Sequence, residues 1–407
     1  MSKYPRRVAG SRKDDNEANT KQTVFLLLSY HRSNHHMKQL WPVLLLLTAC
    51  TAKPKTDNRP IVFVGTYTED LGFVQGKAAG IYTCRLDTVS GALEITDTTG
   101  GIANPSFLAI SPDKKYLYAV AENGGKPDKP FGSVVAYRIE TGGRLVKINE
   151  VPSYGAAPCH VSTDASGKYV LIANYVTGNV VSYSVNPDGS LSDSLSAGQH
   201  PGATPWAHMI IPAPSGPGRI LAVDKGADQV FLYDLEAGKL RRIDSLRLSP
   251  GAGPRHFDFH PADPSLGFVI NENSCSIASV RFDTDGLRPA VLDSLSTLPA
   301  GFKGKNTCAD IHVHPNGRFV YGSNRGHNSI AIFGVDAASG KLTLVGHEST
   351  QGALPRNFMI TPDGKMLLAA NQNSDNVVAF RIDPASGKLT PTGANSRVPT
   401  PVCLKMW

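Results

Sequence analysis

The chain has 407 residues, with 41 Lys/Arg against 34 Asp/Glu and a formal net charge of +7. The excess is local: residues 1–60 carry 11 basic and 4 acidic side chains, and the remaining 30 of each sign cancel. A neutral body excludes the electrostatic footprint of nucleic-acid binding, and six scattered cysteines without a CxxC pair exclude a zinc module or a disulfide scaffold.

In chain order, the first recognisable element begins at Met37, MKQLWPVLLLLTAC. One Lys precedes a short apolar run ending Leu47-Thr48-Ala49-Cys50. About ten apolar residues are too few to span a bilayer and suit the core of a signal peptide. The ending resembles a bacterial lipobox, which implies a lipid on Cys50. Residues 1–36 then read as an upstream extension that is not normally translated, 37–50 as a lipoprotein signal peptide and 51–60 as a polar tether. Residues 61–407 form the folded body. The expected location is the bacterial cell envelope, periplasm or outer membrane, with the membrane touched only through the lipid.

The body is organised by repetition. PSFLAISPDKKYLYAVAEN from Pro105 shares a frame with PCHVSTDASGKYVLIANY from Pro158 and AHMIIPAPSGPGRILAVDK from Ala207. The frame recurs as PRHFDFHPADPSLGFVINEN from Pro254, CADIHVHPNGRFVYGSNR from Cys308, PRNFMITPDGKMLLAANQN from Pro355 and, truncated, PVCLKMW from Pro401. Each unit offers a short strand, a turn, an apolar strand ending near Asn, a third strand such as NVVAFRI, and a short fourth. Seven units of four antiparallel strands, rich in Gly/Pro/Asp turns, predict an all-β, seven-bladed β-propeller. The last unit keeps one strand, so its partners come from the front: 61–68, 80–86 and 93–98. The ring closes by joining both chain ends in one blade, which hides strand edges. Cys84 and Cys403 fall in that blade two strands apart, so no bridge between them is expected, and the cysteines read as small core hydrophobes.

Alternation along a strand sends successive residues to opposite faces. The fourth and sixth frame positions are mostly apolar (Phe257 and Phe259, Phe358 and Ile360) and pack between blades. The second and third turn polar at one mouth of the central channel: His160, His208, Arg255, His256, Asp310, Arg356 and Asn357. The end of the second strand returns to that mouth with Glu122, Tyr175, Lys225, Glu272, Arg325 and Gln372. His256 and His260 share a strand face, but four strand residues span about 13 Å, too far for one zinc. His260, His312 and His314 read instead as turn or inter-blade hydrogen-bonders, and the recurrent Asn residues as loop ties.

At these residues the chain resembles the lactonase family of seven-bladed propellers, which includes propeller-type 6-phosphogluconolactonases and fungal carboxy-cis,cis-muconate cyclase. The resemblance covers residues 61–407 and runs through GTYT at 65–68, NPSFL at 104–108, GPRHFDFHP at 253–261, INEN at 270–273 and ADIHVHPNGRFVYGSNRGHNS at 309–329. By that resemblance, His208, Arg255, Glu272 and Arg325 are the catalytic candidates; from their frame positions at the same mouth, His160, His256, Glu122, Arg356 and Gln372 are the candidates for binding substrate. The family's Pro-His-x-His is here Pro205-Trp206-Ala207-His208, which makes the rim flatter and more apolar.

The implied activity is metal- and cofactor-independent opening of a sugar or sugar-acid lactone by a monomer. Arg255 and Arg325 would clamp a carboxylate or polarise the lactone carbonyl, and Glu272 or His208 would be the base, whichever pKa lies nearer neutrality. Glu272→Gln is expected to abolish turnover while leaving folding intact. No Gly-x-Ser-x-Gly elbow supports an acyl-enzyme. A calcium-dependent lactonase propeller would need a cluster of carboxylates where the two arginines would repel the cation. The alternatives are a non-catalytic envelope scaffold that presents the same mouth for binding, or a muconate-type lactonising cyclase.

Overall fold

The computed structural model describes residues 57–125, 130–214, 216 and 218–407. The expected extension, signal peptide, Cys50 and most of the tether lie outside these residues. Among the described residues no helix is long and apolar enough to cross a membrane.

The described strands form seven four-stranded antiparallel sheets, the blades of a propeller. Blade one holds β1 (Ile61–Thr66), β2 (Ile81–Leu86) and β3 (Leu93–Thr99), and its innermost strand is β28 (Pro401–Met406). β1 pairs β28 from Val62↔Met406 to Thr66↔Pro401, so the two ends of the body lock one blade. Blades two to seven follow in order as β4–β7, β8–β11, β12–β15, β16–β19, β20–β23 and β24–β27. Their innermost strands are β4 (Leu108–Ile110), β8 (Pro158–Thr163), β12 (Ala207–Pro212), β16 (Pro254–His260), β20 (Thr307–Val313) and β24 (Pro355–Ile360). These strands touch one another around the ring.

The core lies between blades. Leu221, Val223, Val230 and Leu232 of blade four pack on Phe257, Val269, Ala278 and Val280 of blade five. Phe257 is 1% exposed; truncation to Ala there would cost about 3–5 kcal/mol. Polar latches reinforce two of the junctions. His260 Nε2 donates to the Gly317 carbonyl oxygen at 3.1 Å and His314 Nε2 to that of Gly364 at 2.9 Å. Gly317 has φ +73°, and a Cβ there would collide with the His260 ring, so that turn needs glycine. The recurrent asparagines tie loops: Asn174, Asn324 and Asn371 donate side-chain N–H to the carbonyl oxygens of Ser153, Thr297 and Thr350 at 2.8–3.0 Å. The tether's last residues dock on blade one, where Arg85 Nη1 donates to the Arg59 carbonyl oxygen at 2.7 Å.

Candidate functional site

The innermost strands are not regular where they enter the channel. β16 pairs Pro254↔Asn271 and then His256↔Ile270, leaving Arg255 as an extra residue. The same one-residue shift occurs at Cys159 in β8, His208 in β12 and Arg356 in β24. A β-bulge breaks simple alternation and re-aims the extra side chain. Four blades thus use a bulge at the same frame position to turn a residue into the mouth.

The mouth opens on a cavity of about 420 Å³ lined by Phe73, Glu122, Ala157, Cys159, Tyr175, Val176, His208, Glu272, Arg325 and Arg356. Below it a throat of about 10 Å³ is bounded by Ser106, Phe107, Glu122, Cys159, His208, Arg255, His256, Arg356, Asn357 and Val402. That is room for about one water and no sugar. A second chamber of about 380 Å³ lies beyond and includes His160, His256, Asp258, Asp310, His312 and Lys405 in its wall.

Glu272 is the centre of the mouth's charge network. Its Oε2 lies 2.9 Å from Arg325 Nη2 and 3.0 Å from Arg255 Nε, while Oε1 lies 2.6 Å from Lys225 Nζ. Burial alone would raise this carboxyl, but Arg325, Arg255 and Lys225 hold it down at about 2. The same ion pair looks different from its other end. Arg255 is 2% exposed, and burial followed by the repulsion of Arg325 and Arg356 brings it down to about 10 despite Glu272. The surrounding cations contribute to both shifts, lowering Glu272 against its burial and adding to the burial that lowers Arg255. Four cations, Lys225, Arg255, Arg325 and Arg356, face two carboxylates, Glu122 and Glu272.

The three guanidiniums differ in how far their donors are committed. Arg255 Nη1 donates to the Ala309 carbonyl oxygen, and Arg325 Nη2 also reaches that of Cys308 at 2.8 Å. Arg356 lies over the Tyr67 ring, 5.4 Å from its centroid, and has no hydrogen-bond or ion-pair partner among the described residues. It borders both the mouth cavity and the throat. Glu122 is held by Tyr67 Oη at 2.8 Å and by Ser106 Oγ.

His208 is 4% exposed and its Nδ1 has no partner among the described residues. Burial, then the charges of Arg255, His256 and Arg356, pushes its pKa well below the usual imidazole range, so the ring is neutral at pH 7. Tyr175 and Trp206 stack at 5.8 Å between ring centroids, with Lys225 Nζ 5.5 Å from the Trp206 centroid. Trp206 therefore backs Tyr175, which lines the mouth cavity.

Asp310 holds the floor. It accepts from His256 Nδ1 at 2.7 Å, His312 Nε2 at 3.1 Å, the Phe358 N–H at 3.2 Å and Asn357 Nδ2. His256, with its pKa lowered to about 4 by burial and by Arg255, presents Nε2 to Arg255 Nη1 at 3.4 Å.

Of the residues singled out from the sequence, Glu122, His208, Glu272, Arg325 and Arg356 line one cavity, with Arg255 at its base. His160 does not join them. It lies in the far chamber, 4.2 Å from the Phe107 ring centroid, because its bulged neighbour Cys159 takes the mouth position. His256 forms floor rather than wall. Gln372 borders a separate pocket of about 330 Å³ with Gly72, Phe73, Val74, Gln75, Lys77 and Asn373. Cys159, Tyr67 and Phe73 were not singled out for the site. Cys159 shares its frame position with Arg255 and Arg356, and that position was the available signal.

The model of the family described as Lactonase, 7-bladed beta-propeller, matches residues 61–406. The chain belongs to that family. Among its lactonase relatives, a 6-phosphogluconolactonase of Bacillus subtilis is 35% identical over 306 residues, covering 74% of this chain and 84% of the relative. One of Formosa agariphila is 34% identical over 315 residues, covering 74% and 86%. Among solved structures, the periplasmic gluconolactonase of Pseudomonas aeruginosa superposes with a TM-score of 0.78 at 33% identity, covering 85% of this chain and 98% of that one. Relatives so named support lactone hydrolysis as the class of reaction, although a Lactococcus lactis relative at 31% identity is described only as uncharacterised.

Proposed function

We propose that the mouth cavity opens the lactone of a sugar or sugar acid by direct attack of water. The observation that carries this reading is the pairing of an uncommitted guanidinium, Arg356, with a neutral, unpartnered imidazole, His208, across one cavity. A lactone carbonyl oxygen placed against Arg356 and Arg325 would gain negative charge where cations are in excess. His208 would take a proton from the attacking water, and the resulting imidazolium would return it to the ring oxygen as the C–O bond breaks. The products are the hydroxy acid, whose new carboxyl group faces the arginines and releases its proton to solvent, and an unchanged enzyme.

Glu272 is not the base in this reading. Three cations hold its carboxylate at a pKa of about 2, so it is a poor proton acceptor and serves to orient Arg255, Arg325 and Lys225. The cation excess favours substrates that carry a carboxylate or phosphate besides the lactone. No group of three or more His, Cys, Asp or Glu is placed to hold a metal ion among the described residues, and the surrounding guanidiniums would oppose one. The Pseudomonas gluconolactonase, described as periplasmic, supports an exported location; a lipid on Cys50 is the anchor proposed for it.

The test is a panel of aldonolactones, with and without phosphate, assayed by acid release on the wild type and on His208→Ala and Arg356→Ala. Hydrolysis that falls at least 100-fold in both variants supports the reading. Tight binding of the lactones without turnover would instead make the mouth a binding module.

A further inference from the structure

Five blades join their second and third strands by a turn whose last residue has a left-handed backbone. These residues are Gly178 (φ 64°), Asp228 (53°), Cys275 (52°), Asn328 (55°) and Asp375 (54°). Gly, Asn and Asp accept that conformation readily; cysteine does so with strain. Three of them use the side chain to tie the turn to the next blade. Asp228 Oδ1 accepts the Gly253 N–H at 2.8 Å, Asn328 Oδ1 that of Leu354 at 3.0 Å, and Asp375 Oδ1 that of Thr400 at 3.0 Å.

Between blades five and six the tie is made of sulfur. Cys275 Sγ lies 3.3 Å from Asn306 Nδ2 in the loop entering blade six. The residue opposite departs from the repeat as well. Cys308 pairs with Asn324 at the register position where Pro158, Pro254 and Pro355 pair with Asn174, Asn271 and Asn371. The two cysteines share their polar neighbours: Thr297 Oγ1 donates to the Cys275 carbonyl oxygen at 3.0 Å and lies 3.1 Å from Cys308 Sγ, while Asn306 Nδ2 contacts both Cys275 Sγ and, at 3.0 Å, the Asn324 Oδ1 that accepts from Cys308 Sγ. Two positions held by other residues in the compared blades therefore meet at one blade junction, and both are cysteine.

We propose that Cys275 and Cys308 form a reversible disulfide that staples blade five to blade six beneath the mouth cavity. The Cys275 thiolate attacks one sulfur of a low-molecular-weight disulfide and expels the other as a thiolate. The Cys308 sulfur, its proton lost to solvent, then displaces the remaining small thiol from Cys275. The two protein thiols lose two electrons and two protons, and the external disulfide is reduced to two thiols. Cys275 is suited to attack first: the Cys308 side chain, then the hydrogen bond from Asn306, bring its pKa down to about 6. The staple would lie within the frame of the site, since the Cys308 N–H donates to the Glu272 carbonyl oxygen at 3.1 Å and its own carbonyl accepts from Arg325.

The full chain is incubated with oxidised glutathione, alkylated, and mapped without reductant. A peptide linking Cys275 to Cys308 is expected, together with a rise of several degrees in the thermal midpoint that dithiothreitol reverses. Cys275→Asn restores a residue that the turn accepts elsewhere, so it should fold, yet show no redox-dependent shift; Cys84→Ala should keep the shift. Separate alkylation of both thiols after oxidation overturns the proposal, as does a shift that survives in Cys275→Asn.

Discussion

Replacing Glu272 by Gln preserves the shape of the side chain and removes one negative charge from among three cations. The carboxyl is held at about 2 against an ordinary 4.5, and at about 1.4 kcal/mol per unit its ionisation stabilises the fold by about 3 kcal/mol. That agrees with the 3–5 kcal/mol that removing one partner of a buried pair typically costs, roughly the penalty for leaving Arg255 uncompensated. Because the folded pKa is depressed, the contribution is fully present above pH about 4.5 and is lost as pH falls from there towards 2. Urea unfolding of wild type and Glu272→Gln at pH 7 and pH 3 reads this directly. The variant should be less stable by about 3 kcal/mol at pH 7, and the gap should narrow at pH 3. Its kcat/KM should fall through displaced guanidiniums without reaching zero. Equal stability at pH 7 together with abolished turnover and unchanged KM would refute the reasoning and return the role of base to Glu272.

The other expectations concern neighbouring residues. Arg356→Met breaks no ion pair among the described residues, so stability should hold while kcat/KM drops about 100- to 1,000-fold; a fall below 10-fold would remove Arg356 from the site. With neutral His208 as base, kcat/KM should stay level from pH 8 to 6.5 and decline only further into acid, as the imidazole protonates at its depressed pKa. An acid limb centred above 6.5 would contradict that. Asp310→Asn removes the anion that His256 and His312 share; stability should fall about 2–4 kcal/mol, and Arg255, propped by His256, should lose grip, seen as a raised KM in lactone assays. An unchanged KM would sever the floor from the mouth.

Much of this architecture is legible in the residues alone. The frame starting at Pro105 and recurring to Pro401 specifies seven blades because each unit has apolar residues to bury and only a neighbouring unit to bury them against. The truncated last unit specifies its own completion by residues 61–99, since an unpaired strand edge is costly. The second set of mouth residues was readable for the same reason: antiparallel pairing returns Glu122, Glu272 and Arg325 to the end where the innermost strands begin. Tertiary structure decided what period-two alternation cannot express. A bulge at Cys159 sends His160 to the far chamber, while equivalent bulges turn His208, Arg255 and Arg356 into the mouth. Which cation lacks an ion-pair or hydrogen-bond partner is likewise invisible in sequence, because it depends on acceptors from other strands and blades: Arg255 reaches Glu272 and Ala309, Arg325 reaches Glu272 and Cys308, and Arg356 faces the ring of Tyr67.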